Sequence, residues 1–300
     1  MNFLELIGDH TVQVVVLGSM MVGAVSGALG CFAYLRGQSL VGDVVSHSAL
    51  LGIVLAFWLF YLITGQSSRS LLLLMPGALI AGLASLMLTR KLGTASRLKE
   101  DASLGVMLAI FFGTGMMLLR YLQRSRPPIP GRAGLDQYLF GMAAAMNTAD
   151  IWMIGVVGTA SIMVMMLAWS RLKIITFDPQ FAMGMGLRAN LHEVILLTLV
   201  VLGIIIGLQI AGVVLMVSLL VAPAAAARQW THSLGKMVWL ATAIGGISAA
   251  MGGFISAAGK SLPTGPVIVL IVTAIFLGSL IVAPRRGLLS RWRQGDIHVT

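Results

Sequence analysis

The sequence predicts an all-α, polytopic membrane protein, and two observations support this fold class. Of the 300 residues, 58% are hydrophobic and only 10% are charged, whereas soluble domains are about half apolar and about a quarter charged. The apolar residues are also gathered into charge-free runs, each about as long as the roughly 20 residues that one helix needs to cross a bilayer. These runs are 11–35, 44–64, 103–119, 194–227, 237–259 and 261–283.

About nine transmembrane helices follow from these runs and their breaks. The run 194–227 is long enough for two crossings, and Gln209 and Gly212 mark a turn inside it. The stretches between the runs are too short for a soluble domain core, so residues 1–300 form a single transmembrane domain. The predicted helices are 11–34, 40–63, 71–89, 102–119, 150–169, 194–209, 212–228, 236–257 and 264–283.

The basic residues predict the orientation. The net charge of +10 does not indicate nucleic-acid binding, because the lysines and arginines lie between apolar spans rather than on one folded face. With the N-terminus outside, fourteen basic residues fall in inner segments and six in outer ones. Basic residues gather on the cytoplasmic side of membrane proteins. We therefore expect the N-terminus outside and the C-terminus in the cytoplasm.

The outer segment 120–149 is one of two long connections. Pro127, Pro128, Pro130 and Gly131 interrupt helix there. The sequence LDQYLFGMAAAM that follows predicts a short helix at the membrane face.

The inner loop 170–193 predicts a second short helix. Asp178 followed by Pro179 is typical of a helix start, and Gly186 of a helix end. A helix over about 179–185 would expose Phe181 and two methionines, so its apolar face either lies on the membrane or docks into a groove on a partner.

A polar stripe interrupts the apolar run at the start of the second helix. Ser39, Asp43 and His47 recur every four residues and share one helical face, with Ser46 beside them. A charged carboxylate near mid-bilayer costs roughly 2.5–3.5 kcal/mol, so it faces a path, a partner or a cation. A carboxylate and an imidazole suit zinc, manganese or iron(II). The alternative is a structural hydrogen-bonded pair near the inner helix end.

Other polar or small residues predict packing rather than chemistry. His10, His192, His232 and His298 are expected as solvated histidines near span ends. Cys31 is expected to be a packing or lipid-facing thiol, since no second cysteine exists to pair with it.

Glycines at helix-packing spacing, such as Gly23, Gly27 and Gly30, predict close approach of helices. The sequence GGFISAAGKS at 252–261 does not form a phosphate-binding loop, because Phe254 stands where the motif needs glycine. No ATP site is therefore expected in this chain.

The sequence RGQSLVGDVVSHSALLGIVLAF at 36–57 resembles the signature of the permease subunits of bacterial ABC importers for manganese, zinc and iron, the type 3 ABC permeases. Similar blocks follow in the order typical of that family, so the resemblance covers essentially the whole chain. These blocks are LKEDASLGVMLAIFF (98–112), AGLDQYLFG (133–141), FDPQFAMGMGL (177–187), LQIAGVVLMVSLLVAPAAAAR (208–228) and LPTGPVIVLIV (262–272).

The resemblance implies a fold similar to that of the vitamin B12 and siderophore importer permeases, which are type II ABC importers. It implies location in the bacterial cytoplasmic membrane, a second permease, identical or paralogous, and two cytoplasmic ATPase subunits that alone bind ATP. It also implies an extracytoplasmic metal-binding protein that delivers manganese, or else zinc or iron, to the outer loops. No permanent cofactor and no catalytic residue are implied.

The resemblance further implies roles for two sets of residues. Asp43 and His47, with Ser39 and Ser46, match the polar segment that lines the family's metal path at the dimer axis. The short helix in the 170–193 loop matches the coupling helix that docks on the ATPase. Its residues are Phe177, Asp178, Pro179, Gln180, Phe181, Ala182, Met183, Gly184, Met185 and Gly186.

Two other functions stay open at the level of sequence. A secondary metal transporter would work without ATP and would not need a docking helix at 179–185. An intramembrane enzyme would use Asp43 and His47 as acid and base, but it would need a nucleophile or a tight metal, and the sequence shows no motif for either.

Overall fold

The computed structural model describes residues 9–68, 70–141, 146–259 and 262–283, and every regular element in these residues is helical. The all-α prediction is therefore confirmed. A 3-10 helix at Arg132–Asp136 lies directly before the short α-helix Gln137–Phe140. The helices are α1 His10–Leu35, α2 Ser39–Thr64, α3 Leu71–Ala95, α4 Glu100–Arg124, α5 Gln137–Phe140, α6 Thr148–Leu167, α7 Trp169–Phe177, α8 Pro179–Gly184, α9 Ala189–Trp230, α10 Leu234–Ala258 and α11 Thr264–Val282.

Within the described residues, eight helices are long and apolar enough to cross a membrane, and one of them, α9, is two segments. Gly212 has φ 77° and ψ 167°, which is not helical. A Cβ built on Gly207 would meet the side chain of Met216, although nine residues of straight helix rise about 13.5 Å. The chain therefore turns back at Gly212, and the turn predicted between Gln209 and Gly212 is confirmed.

Helix α1 lies at the centre of the bundle because its glycines admit neighbouring backbones. A Cβ on Gly23 would meet the carbonyl oxygen of Gly245 on α10, and one on Gly30 would meet the carbonyl oxygen of Leu220 on α9. Small residues allow such approach in lipid, where van der Waals packing replaces the hydrophobic effect as the force between helices. Cys31, also on α1, is fully buried with its Sγ 3.4 Å from the carbonyl oxygen of Gly27. The packing predictions for the glycines and for Cys31 are confirmed.

Helices α2, α3 and α4 form a second group beside this centre. Gly52 on α2 and Gly77 on α3 face each other so closely that a Cβ on either would meet the other's carbonyl oxygen. Leu51 of α2 lies against Gly115 of α4. Helix α4 is much less buried than α1. Of an apolar 18-residue stretch in each helix, 22% is buried in α4 and 72% is buried in α1. One face of α4 is therefore open, next to the helix that carries Asp43 and His47.

The region predicted as the loop 170–193 is more helical than expected. Helix α7 covers Trp169–Phe177, and its Leu172 and Ile175 are buried. Helix α9 begins at Ala189 rather than at residue 194. The charged residues here end the apolar run, but they do not end the helices. Hydropathy therefore located the apolar part of each of these helices, and the helices continue beyond it.

The segment 120–149, predicted to lie outside, packs against the turn in α9. Only residues 137–140 of the helix predicted from LDQYLFGMAAAM are helical as α5, and residues 142–145 lie outside the described residues. Gly141, with φ 74°, lies against the backbone of Ile210 and Ala211, where a Cβ would not fit. The segment is therefore packed against the outer end of the bundle.

Candidate functional site

Asp43 and His47 lie one turn apart on α2, as their spacing predicts. The Oδ1 of Asp43 is 3.4 Å from Nδ1 of His47. Asp43 is only the fifth residue of α2, so it lies about 6 Å from the helix start, given a rise of about 1.5 Å per residue. The pair is therefore near the start of the helix and not at its middle.

The imidazole of His47 is oriented by the backbone. Its Nδ1 lies 2.8 Å from the carbonyl oxygen of Asp43. A carbonyl oxygen only accepts hydrogen bonds, so Nδ1 carries the proton in this arrangement. In the neutral ring, Nε2 then has the free lone pair, and this is how a backbone carbonyl commonly orients a metal-binding histidine.

The pair is shielded on one side and open on the other. The His47 ring stands edge-on to Phe112 of α4, with ring centroids 4.8 Å apart. The side chain of His47 is 15% exposed and that of Asp43 is 37% exposed. A half-open carboxylate beside an oriented imidazole can accept an ion without first breaking a closed ion pair.

The two serines of the polar stripe differ from the pair. Ser46 is fully buried and donates a hydrogen bond of 3.0 Å to the carbonyl oxygen of Asp43. It therefore supports the helix turn behind the pair. Ser39 is the first residue of α2, and its side chain lies outside what the structure describes.

Further metal ligands do not come from the described part of this chain. No group of three or more histidine, cysteine, aspartate or glutamate side chains there could hold a metal ion. Asp43 and His47 therefore offer two ligands, fewer than the four of a structural zinc site.

A second charged cluster, which the sequence analysis did not identify, joins the end of α1 to α3 and α9. Oε1 of Glu193 on α9 accepts from Nη2 of Arg36 at 2.6 Å and from Nη2 of Arg90 at 2.7 Å. Arg36 follows α1, and Arg90 is on α3. The only signal in the sequence was one acidic residue next to an apolar run, which does not reveal its partners.

The prediction of a solvated histidine is wrong for His192, the neighbour of Glu193. His192 is only 6% exposed, and its Nδ1 lies 3.1 Å from the carbonyl oxygen of Arg188. The early start of α9 turns this side chain inward. His10 and His232 are exposed as expected, and His298 lies outside the described residues.

A third polar cluster, also missed, lies where α6 begins. Asn147 and Asp150 form a capping box at the start of α6. Oδ2 of Asp150 also accepts from Nε2 of Gln209 at 3.0 Å, just before the turn in α9. These bonds join α6 to the turn.

The short helix predicted at about 179–185 is present as α8, Pro179–Gly184, and its coupling role stays a prediction. Asp178 caps it by accepting from the backbone N–H of Phe181 at 2.9 Å, and Gly186, with φ 74°, follows its end. Phe181 is 56% exposed and Met183 is 59% exposed, whereas Ala182 is fully buried. The helix is held by one small side chain and presents large apolar ones outward.

The fold and these sites define a polytopic membrane permease. Residues 8–283 match the ABC 3 transport family, and the chain belongs to it. The sequence is 41% identical over 292 residues to the zinc transport system membrane protein TroC of Treponema pallidum, covering 97% of this chain and 95% of that one. It is 39% identical over 279 residues to the manganese transport system membrane protein MntC of Bacillus subtilis, covering 93% of this chain and 62% of that one.

A solved structure agrees with the fold. The chain is similar to one in the structure of PsaBC from Streptococcus pneumoniae in complex with Fab, with a TM-score of 0.84 and 28% identity. The similarity covers 98% of this chain and 100% of that chain. The resemblance to the type 3 ABC permeases is confirmed, and so is the general fold that it implied.

Proposed function

We propose that this chain is the permease subunit of an ATP-driven importer for a divalent transition metal, with manganese favoured and zinc next. The observation that carries the proposal is the open Asp43–His47 pair on α2. The relatives named above for manganese and zinc transport support the choice of cargo. Iron, the third metal expected from the sequence, stays a prediction.

The pair would hold the ion only transiently. A carboxylate oxygen of Asp43 and Nε2 of His47 are the ligand types that manganese(II) and zinc(II) accept. Two protein ligands leave the remaining positions to water or to a second chain. Conduction needs this weakness, because a site must bind well enough to admit the ion and loosely enough to release it.

A second permease would complete the path. Gly105 and Gly113 on α4 have nothing within 4 Å of a built Cβ, and Ala109 between them is exposed. Small residues spaced by four are typical of helix contacts in membranes. Phe112 lies two turns from Gly105 on nearly the same face and touches His47. A partner packed on α4 would therefore bring two Asp43–His47 pairs toward one axis.

The cytoplasmic ATPase would dock on α8. Its exposed Phe181, Met183 and Met185 suit insertion of a helix into a groove, and of the two sequence-level alternatives we choose this one over a membrane surface. The N-terminus then lies outside and the C-terminus lies in the cytoplasm. This chain would catalyse no covalent step, and ATP would bind only to the partner.

An extracytoplasmic metal-binding protein would contact the outer segment. Arg120, Arg124 and Arg126 are exposed there and could meet acidic residues. Arg132 is less available, because its Nη1 donates to the carbonyl oxygen of Ser125 at 2.8 Å.

The decisive experiment is ATP hydrolysis by the purified permease with its ATPase in vesicles, with and without metal-loaded binding protein. We expect stimulation by loaded binding protein, together with uptake of Mn(II) or Zn(II). Uptake that proceeds without ATP would instead identify a secondary transporter. Competition among Mn(II), Zn(II) and Fe(II) in the same vesicles would identify the cargo.

A further inference from the structure

An apolar groove lies on the side of α1 that faces away from the metal path. It encloses about 660 Å³ between α1, α6, α7 and α10. Its walls include Ala28, Met166, Trp169, Gly235, Trp239 and Thr242. Helices α6 and α10 pack against α1, and the metal-path helices α2 and α4 do not line the groove. A partner on the open face of α4 would leave the groove uncovered.

Two tryptophans indicate that the groove's mouth lies at a membrane boundary, which is the inner one in the orientation proposed above. The ring of Trp169 stands edge-on to Phe32 with centroids 5.9 Å apart, which fixes it as a wall of the groove. Trp239 is 78% exposed. Tryptophan is enriched where the hydrocarbon meets the headgroups. The apolar part of the groove therefore extends from the inner headgroup level into the hydrocarbon.

Basic residues lie beside the groove rather than in its walls. A neighbouring cavity of about 630 Å³ shares Trp169 and Ser170 with the groove and is lined by Lys173. Lys236 follows the lining residue Gly235 directly. Both lysines are exposed, and neither forms an ion pair within the described residues. Asp178, the acidic residue in this lining, is already engaged as the cap of α8.

We propose that this groove binds an anionic glycerophospholipid, with an acyl chain between α6 and α10 and the phosphate between Lys173 and Lys236. An apolar slot with exposed lysines close beside it, one in the adjoining cavity and one next to a lining residue, is complementary to such a lipid in both parts. Basic pockets between transmembrane helices on the cytoplasmic side bind anionic headgroups. A peptide or a soluble anion would match either the apolar slot or the lysines, but not both.

The bound headgroup would lie next to the start of the coupling helix. Lys173 is five residues before Asp178, and both line the same cavity. Neutralising Lys173 with a lipid phosphate would hold α7 and the start of α8 at the membrane surface. The inference depends on the membrane-embedded fold, and it holds whether or not the chain transports a metal.

The test is lipid retention by the purified full-length chain, measured by native mass spectrometry after incubation with equal amounts of phosphatidylglycerol and phosphatidylcholine. We expect preferential retention of one phosphatidylglycerol. Because each lysine near a membrane surface contributes about fivefold to binding of anionic lipid, Lys173→Gln and Lys236→Gln should each lower retention by about that factor. Lys91→Gln, an exposed inner lysine outside the groove, should leave retention unchanged.

A second variant tests the apolar part. Thr242→Leu narrows the slot without altering charge, so it should lower retention of both lipids while keeping the preference for phosphatidylglycerol. Equal retention of the two lipids by the unaltered chain would overturn the proposal. The proposal would also be overturned if the lysine variants retain phosphatidylglycerol but no longer co-purify with the ATPase. The lysines would then belong to the interface with the ATPase.

Discussion

Two charged sites near the connection between α1 and α2 are built in opposite ways. Glu193 is enclosed by Arg36 and Arg90 at 2.6 and 2.7 Å, so its charge is neutralised by this chain. Asp43 is 37% exposed, and the imidazole 3.4 Å away already points its Nδ1 at a backbone carbonyl. A buried charge must be paired to persist. The closed cluster therefore holds helices together, whereas the open pair has side-chain atoms left available, as the proposed metal role requires.

The largest expected effect is at the open pair. Asp43→Ala and His47→Ala each remove one of two ligands, and loss of even a supporting group around a metal commonly costs about 10- to 100-fold. Metal uptake in vesicles should therefore fall to background, while the amount of ATPase that co-purifies with the permease is unchanged. Ser48→Ala on the same helix is the matched control, because its buried hydroxyl has no hydrogen-bond partner within the described residues. Normal uptake in both ligand variants would contradict the metal role.

Helix α8 is also an exposed site, but the groups that it exposes are apolar. Phe181→Asp or Met185→Asp places a charge where we expect a desolvated groove. Since loss of a central interface residue commonly exceeds about 2 kcal/mol, ATPase co-purification should weaken more than about tenfold. Gln180→Asp adds the same charge on the same helix at an exposed polar position and serves as the control. If the ATPase remains bound to both apolar variants, α8 is not the docking surface.

The smallest effect is expected at the closed cluster, and there it should appear in stability. Glu193→Gln leaves two guanidinium groups facing each other. Breaking a fully buried pair costs about 3–5 kcal/mol, and partial exposure should reduce this to about 2 kcal/mol. Arg90→Gln should cost less than about 1 kcal/mol, because Arg90 is 43% exposed. Thermal unfolding of the purified variants measures both. An equal loss in the two variants would show that Arg36 does not depend on Glu193.

The comparison also explains what sequence reasoning found and missed. Asp43 and His47 are four residues apart on one helix, so local geometry was enough to place them together. Glu193 meets residues that lie 157 and 103 positions earlier in the chain, at Arg36 and Arg90, and no local spacing encodes such a contact. The link between Asp150 and Gln209 was missed for the same reason. The exposure predicted for His192 was wrong because α9 begins at Ala189, before the apolar run that starts at residue 194.

The sequence by itself determined the membrane class, the helical content, the turn at Gly212, the capped helix α8 and the shared face of Asp43 and His47. Each of these follows from composition or from residues within about one or two helical turns. Only the tertiary structure decided which charges are enclosed and which stay open, where the glycines of α1 receive other helices, and that α1, α6, α7 and α10 together form an apolar groove. Those features depend on side chains from distant parts of the chain meeting in space, and hydropathy carries no information about which helices become neighbours.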